Sequence, residues 1–122
     1  MKHTTSNSIA AQWPDSLRVL YRAVQNNKRL PELNVIFNTL GNNHRRILFD
    51  ILCRREAQID DLVLLTSSSY QSIRKQLRLL EESGLITSYK DRNLRYFHAA
   101  PDSLIMLQIW ANTMGQIIKR FS

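Results

Sequence analysis

Residues 69 to 83 carry cationic and amide side chains at the spacing of one helix face. A planar Arg side chain can fork to guanine or to phosphate, and a Gln side chain can pair with adenine. No acidic residue interrupts this face before Glu81, whereas a helix face that meets only water usually mixes Glu with Lys. The pattern favours contact with nucleic acid over a merely solvated basic face. The side chains concerned are Gln71, Ser72, Arg74, Lys75 and Arg78.

Polar groups on either side of this segment are suited to the backbone of a nucleic acid. Lys90, Arg92 and Arg95 fall at a predicted hairpin turn, where cations are placed for phosphate or minor-groove contact. Three serines lie at the start of the segment and just before it. Their hydroxyl and N–H groups suit either a phosphate or the N-cap of a helix. Arg45 and Arg46 lie at the start of an earlier helix and are further candidate phosphate contacts. The three serines are Ser67, Ser68 and Ser69.

The spacing of apolar residues predicts the elements that must position these groups. The polar residues 1 to 12 are expected to form a flexible arm, followed by a helix that starts near Trp13. The further helices are predicted near residues 31–40, 44–52, 59–65, 69–83 and 102–120, and strands at 85–89 and 94–98 around a turn at 90–93. The residues expected to face the core include Phe37, Ile47, Leu65, Tyr70, Ile73, Leu77 and Leu80.

The order of these elements predicts a fold. A short helix, a polar turn and a basic helix over residues 59–83 form a helix-turn-helix, and the hairpin at 85–99 makes it winged. The second helix of such a unit lies in the major groove of duplex DNA, whose width admits one helix. The predicted fold is mainly α with a small β-hairpin. It is a winged helix-turn-helix with extra N- and C-terminal dimerisation helices, forming a single domain over residues 13–122.

The last predicted helix is more apolar than one small core requires. Its apolar residues follow a 3-4-3-4 spacing, which favours a two-fold dimer seam shared with the first helix. Packing of the two helices against each other within one monomer is the alternative. The residues predicted to dimerise are Leu17, Leu20, Leu107, Trp110, Met114, Ile117 and Phe121.

Two stretches resemble the ArsR family of bacterial repressors. LGNNHRRILFDIL is similar to the opening of that family's winged helix, and SSSYQSIRKQLRLLEESGLITSYKDRNLRYF is similar to its recognition helix and wing. The resemblance implies a homodimer built from the first and last helices, with DNA bound by residues 67–95. The MarR family shares much of the pattern and is a close alternative. Arg74-Lys75-Gln76 stands where many ArsR-like proteins have Ser-Arg-His, so the resemblance transfers no base preference.

The composition agrees with a polyanionic partner. The 122 residues carry a formal net charge of +7, with a pI near 10.1. The single cysteine, Cys53, allows no internal disulfide and is predicted to be a small core residue, and no apolar run is long enough to span a membrane. A cytoplasmic, nucleoid-associated protein without membrane contact is expected.

No pattern typical of catalysis or metal binding stands out. No Ser/His/Asp or Cys/His set and no phosphate-binding loop is recognisable. His3, His44 and His98 lack ligand spacing, so no metal, cofactor or enzymatic activity is expected, and no small-molecule effector is assigned.

The sequence therefore predicts a sequence-specific regulator that binds double-stranded DNA, most simply a dimeric repressor. Two alternatives stay open. One is a winged-helix protein-interaction module that does not read DNA. The other is a replication or partition accessory factor of a mobile element.

Overall fold

The computed structural model describes residues 30–121 together with Asp15, Arg18 and Arg22. The chain divides into two compact units, of which one is Pro31–Leu104 and the other includes the last helix. Within Pro31–Leu104 the elements are α1 (Leu33–Leu40), α2 (Asn43–Arg54), α3 (Ile59–Thr66), α4 (Tyr70–Glu82), β1 (Ile86–Asp91) and β2 (Leu94–Ala99). The last helix, α5, is Ile105–Lys119. A mainly α chain with one antiparallel hairpin is thus confirmed.

Capping groups explain where the helices of the first unit begin. The Asn42 side chain accepts a hydrogen bond of 3.0 Å from the N–H of Arg45 and thereby caps α2. The N–H of Gln58 donates to the Asp61 carboxylate at 3.1 Å at the start of α3. Ser69 caps α4, because its Oγ accepts from the N–H of Ser72 at 3.1 Å.

The end of α4 sets the direction of the following strand. Gly84 has a φ of 83°, in the left-handed region that glycine adopts without strain. Its N–H donates to the carbonyl of Glu81, and the N–H of Leu85 donates to that of Leu80, which is the Schellman pattern. The predicted stop at Gly84 is confirmed, and Leu85 is fully buried as a result of the turn.

The hairpin is longer, and its turn tighter, than predicted. β1 and β2 pair from Ile86 with Ala99 to Asp91 with Leu94, so only Arg92 and Asn93 form the turn. Their φ values of 54° and 68° are those of a type I′ turn, whose twist matches that of paired strands. The predicted turn at 90–93 was wrong in extent because the sequence there contains no Gly to mark a two-residue turn.

The core lies where α2, α3, α4 and the hairpin meet. α4 contacts α2, α3 and β1, while β2 contacts α2 and α3. Ala57, between α2 and α3, forms a β-bridge with Phe97 and holds the hairpin against the helices. Burial of each large side chain contributes about 1.5–3 kcal/mol to the free energy of unfolding. The core of this unit includes Leu48, Phe49, Leu52, Leu62, Ile73, Leu77, Leu80, Leu85 and Phe97.

Several residues predicted to be in the core are exposed instead. On α2 the buried side chains are Leu48, Phe49 and Leu52, which leaves Ile47 off the inward face. Tyr70, the first residue of α4, is 48% exposed. Phe37 and Leu65 are likewise exposed. Cys53, predicted to be buried, is exposed one position beyond Leu52.

α5 starts at Ile105, three residues after the start predicted at residue 102.

Within the part of the chain that the structure describes, none of the helices combines the length and the hydropathy of a membrane-spanning segment. The predicted arm over residues 1–12 and the start of the first helix near Trp13 lie outside the described residues.

Candidate nucleic-acid interface

α4 presents most of the predicted polar face to solvent. Gln71, Arg74, Lys75 and Arg78 are all exposed, whereas Ile73, Leu77 and Leu80 are buried on the opposite side. Ser72 is half-buried, because it lies nearer the side turned toward α2. The 13 residues of α4 span about 20 Å, enough to run along a major groove about 12 Å wide.

A cleft of about 600 Å³ brings the helix face together with the wing. Arg95 and Phe97 of β2 line one side of this cleft. Four of the five predicted α4 contacts line the other: Gln71, Arg74, Lys75 and Arg78. Side chains that are 17 or more residues apart in sequence thus form one cationic surface, which we call the α4–wing cleft.

The wing concentrates positive charge at some cost in stability. Lys90 and Arg95 lie directly opposite each other across the hairpin, and like charges in that position repel. Arg92 has a left-handed φ in the turn, where Asn or Gly is favoured. All three side chains are exposed. A local cost of this kind is typical of residues retained for binding.

The opposite face of the wing is aromatic. The rings of Tyr89 and Tyr96 stack with centroids 5.4 Å apart, and His98 lies next to Tyr89. The Tyr89 hydroxyl donates a hydrogen bond of 2.6 Å to the Glu56 carboxylate in the loop after α2. That bond, with a smaller contribution from desolvation, raises the pKa of Tyr89 to about 12. The interaction joins the wing to the segment between α2 and α3.

The three predicted serines have structural roles in the turn between α3 and α4. Ser67 ends α3 in the left-handed conformation, and Ser69 is the N-cap of α4. The Ser68 hydroxyl lies 3.2 Å from Nε2 of His44 and 3.4 Å from the carbonyl oxygen of Thr66. Their N-capping and turn roles are visible, and contact of Ser67, Ser68 and Ser69 with phosphate stays a prediction.

Arg45 and Arg46 turn back onto the end of α1. Arg45 donates to the carbonyls of Thr39 at 2.8 Å and Asn38 at 3.5 Å, and Arg46 donates to that of Leu40 at 2.7 Å. Cations suit this position, because the last carbonyls of a helix lack partners and carry partial negative charge. Arg45 also donates to Oε1 of Gln76 on α4 at 3.1 Å, so it joins three helices. Contact of either arginine with phosphate stays a prediction.

Glu81 lines the cleft and Ser88 adjoins it, and the sequence did not single out either of them as a site residue. Arg95 donates a 2.8 Å hydrogen bond to Oγ of Ser88, and the Ser88 hydroxyl donates at 2.8 Å to Glu81. The alternation of strand side chains places Ser88, Lys90, Arg95 and Phe97 on the same face. Strand alternation alone groups Ser88 with Arg95, whereas the approach of Glu81 depends on the packing of α4 against β1 and could not be predicted from the strands.

The predicted dimerisation residues of α5, and Phe121 just after its end, differ in exposure. Leu107 and Met114 are half-buried, whereas Trp110, Ile117 and Phe121 are exposed, Phe121 by 85%. Leu17 and Leu20 lie outside the described residues. The dimer seam itself stays a prediction.

The described residues show no group that could hold a metal ion, since no three His, Cys, Asp or Glu side chains come together there.

Partial burial and, secondly, the Asp50 carboxylate raise the pKa of the Cys53 thiol above its ordinary value. Less of this thiol is therefore ionised near neutral pH than of a free cysteine.

No protein-family model and no curated protein matches the sequence. The fold, however, superposes on solved structures. An ArsR family transcriptional regulator gives a TM-score of 0.62 at 24% identity, over 71% of this chain and 90% of that protein. The fold is that of the ArsR-like winged-helix regulators.

Two further structures show the same ArsR-like fold. A possible transcriptional regulator for arsenical resistance is 28% identical, with a TM-score of 0.57 over 64% of this chain and 81% of its own. The transcriptional repressor BigR from Xylella fastidiosa is 19% identical, with a TM-score of 0.55 over 64% of this chain and 75% of its own. The resemblance predicted from the sequence motifs is confirmed at the level of fold.

Proposed function

We propose that the protein is a transcriptional regulator that binds duplex DNA in a sequence-specific manner and has no enzymatic role. The solved structures with the same fold are described as transcriptional regulators, which supports this class. The α4–wing cleft is the observation that carries the proposal, because one surface combines a helix of groove dimensions with converging cationic and amide side chains.

α4 is the proposed reading element. Gln71, Arg74, Lys75 and Arg78 lie in the major groove, with Ser72 at the margin of that surface. Lys90, Arg92 and Arg95 contact the backbone or the adjacent minor groove. These roles are assigned from the chemistry of the side chains. Arg and Gln can each make two hydrogen bonds to a base edge, and cations at a hairpin tip contact phosphates.

A homodimer is the proposed binding species. The exposed apolar side chains of α5 support it, because a regulator with two-fold symmetry presents two recognition helices to two half-sites about one helical turn apart. Repression by occlusion of the promoter is the simplest mode of action. BigR is described as a repressor, which agrees with this mode.

A selection from fragmented genomic DNA tests the proposal. The full chain is incubated with fragments, bound duplexes are sequenced, and affinity for the recovered sequence is followed across a salt series. We expect one inverted repeat, bound at least about 10³-fold more tightly than random duplex. Lys90→Ala should weaken binding to all duplexes alike and lower the slope of log K against log salt by about 1.

Weak binding that is equal for all duplexes and disappears with salt would contradict the proposal. The winged-helix protein-interaction module would then be favoured. Recovery of repeats from a replication origin or a partition site, rather than from promoters, would favour the accessory factor of a mobile element.

A further inference from the structure

Three residues from three elements form a hydrogen-bonded chain beside the α4–wing cleft. Arg95 of β2 donates from Nη1 to Oγ of Ser88 on β1 at 2.8 Å. The Ser88 hydroxyl donates in turn to Oε2 of Glu81 near the end of α4, also at 2.8 Å. The two hydrogen bonds are consistently oriented, because the hydroxyl accepts from the cation and donates to the carboxylate.

The chain fixes a side chain that would otherwise have several rotamers. Arg95 is exposed and faces Lys90 across the hairpin, so repulsion alone would drive the guanidinium away from the wing in no particular direction. Immobilising a rotamer-rich Arg side chain on binding costs conformational entropy, which weakens binding. Orientation before binding removes part of that cost.

The bridging hydroxyl also keeps the cation available. The carboxylate acts on Arg95 through Ser88, and the guanidinium has five N–H donors, of which the hydroxyl takes one. Arg74 and Arg78 line the same cleft as Arg95, so the local charge is positive despite Glu81. A planar fork in a positive cleft is suited to a phosphate, which accepts two parallel hydrogen bonds.

We propose that Ser88 and Glu81 are positioning residues that hold Arg95 in the α4–wing cleft for one backbone phosphate of the bound duplex. The inference rests on the proposed DNA-binding function and deepens it. Arg95 is the group that touches the phosphate, while Ser88 and Glu81 act through it. The contact sets the register of α4 in the groove rather than reading a base.

The test uses the duplex recovered by the selection and four variants of the full chain: Ser88→Ala, Ser88→Thr, Arg95→Ala and the double variant Ser88→Ala/Arg95→Ala. Ser88→Ala leaves every charge in place, and we expect roughly three- to tenfold weaker binding, the range of one hydrogen bond. Ser88→Thr keeps the hydroxyl and should restore affinity. The double variant should bind no more weakly than Arg95→Ala alone, because both changes remove the same contact.

A scan with single methylphosphonate substitutions then locates the phosphate. At one phosphate per half-site, the substitution should weaken binding of the wild type relative to the unsubstituted duplex. The same substitution should not weaken binding of Arg95→Ala further, and it should weaken binding of Ser88→Ala less than that of the wild type. A purely structural role of Ser88 would leave this positional signature unchanged.

Glu81→Ala and Glu82→Ala form a matched pair, since each removes one negative charge from the same end of α4. Loss of charge alone should strengthen DNA binding in both. We expect Glu81→Ala to bind at least roughly threefold more weakly than Glu82→Ala, because only the first breaks the chain to Arg95.

The inference is overturned while the proposed function survives if the wild type binds its operator and Ser88→Ala has the same affinity and methylphosphonate profile. Additive losses in the double variant would also overturn it. A wild type that binds no duplex specifically overturns both the function and the inference.

Discussion

At the scale of single residues, the position of each side chain around α4 determines its proposed role in DNA binding. Arg78 lies on the exposed face, and its 3.9 Å ion pair with Glu82 is long and solvated, so it restrains Arg78 little. We expect Arg78→Ala to weaken binding to the operator by about 1–3 kcal/mol and to relax the preference at one base pair. Competition binding against a panel of single-base operator variants measures both effects.

Arg54→Ala is the control for that substitution. Arg54 is exposed at the end of α2, pairs with Asp50 and does not line the cleft. Because Arg54 and Arg78 are both arginines, each substitution lowers the net charge by the same amount. Equal losses in the two variants would mean that only overall charge matters and would remove Arg78 from the groove. Gln71→Ala should behave as Arg78→Ala does, with a different base position relaxed.

Tyr89 makes stability depend on pH in the alkaline range. Its pKa is raised from 10.0 to about 12 in the folded protein. The protonated phenol therefore stabilises the fold fully below pH 10, and this contribution is lost as the pH rises from 10 to 12. We expect the free energy of unfolding of the wild type to fall relative to that of Tyr89→Phe across this window.

Urea denaturation of both proteins at several pH values measures the difference, and ultraviolet absorbance of tyrosinate locates the titration. Subtraction of the Tyr89→Phe titration isolates the one phenol. A midpoint near 10 for Tyr89 would show that the bond to Glu56 does not form in solution.

The sequence could predict residues whose environment depends on one helix alone. The exposed face of Gln71, Lys75 and Arg78 follows from 3.6-residue periodicity once the helix is assigned. The environments of Arg45 and Ser88 could not be predicted in this way. Their partners, Gln76 and Glu81, are brought near by the packing of separate elements.

At the scale of elements, the turn of the wing places a cation in a conformation that its side chain does not favour. Arg92 occupies the first position of the type I′ turn with a φ of 54°. We expect Arg92→Asn to raise the free energy of unfolding by about 0.5–1 kcal/mol, because Asn tolerates this region, and to weaken DNA binding because a cation is lost. Thermal or urea unfolding and a salt series report the two effects.

Arg92→Gln is the matched control, since it removes the same charge but keeps the unfavourable backbone. It should weaken DNA binding as Arg92→Asn does without raising stability. If both variants are stabilised equally, the gain comes from reduced charge repulsion on the wing rather than from the backbone.

Arg45 joins the end of α1 to α2 and α4, and its role can be separated from DNA contact. We expect Arg45→Ala to lower the free energy of unfolding by about 1–3 kcal/mol, because it leaves partners on α1 and α4 without their donor. A slope of log K against log salt that stays as in the wild type would leave Arg45 with this structural role alone. A slope lower by about 1 would support the predicted phosphate contact.

The elements themselves were largely predictable, and the errors have identifiable causes. Gly84 and the Ser69 cap marked both ends of α4. The predicted hairpin turn is too long because Arg92 and Asn93 stand where a two-residue turn usually has Asn-Gly. The sequence pattern therefore assigns residues 90 and 91 to the turn, whereas in the structure they belong to β1. Ile47 and Cys53 were assigned inward because an apolar helix with neighbours on several sides gives no unique buried face.

At the scale of the whole molecule, the net charge of +7 and the proposed two-fold assembly have separate roles in DNA binding. Charge brings the protein to any duplex and makes that binding sensitive to salt. In the proposed dimer, two recognition helices held at a fixed separation would supply the preference for an inverted repeat. The sequence predicts the dimer from the apolar residues of α5, and this prediction concerns a surface of a second copy of the chain.

Ile117→Glu should separate the dimer. Ile117 is exposed on the predicted seam of α5. In a two-fold interface the carboxylate of the substituted residue would be buried close to the same carboxylate of the second copy, and the two would repel each other. We expect light scattering or sedimentation to show a monomer, while the wild type is a dimer at the same concentration. Asn112→Glu adds the same charge on the far side of α5 and should leave the dimer intact.

The consequence for DNA binding follows from linkage of the two half-sites. In the dimer the second recognition helix binds as an intramolecular event, so its loss should weaken binding to the inverted repeat by roughly 10²-fold or more. Ile117→Glu should bind the repeat no better than a single half-site, whereas the wild type should prefer the repeat strongly. A wild type that is monomeric and binds both duplexes equally would mean that α5 is covered within one chain. In that case the apolar surface would stabilise the monomer and would not set the spacing of the operator.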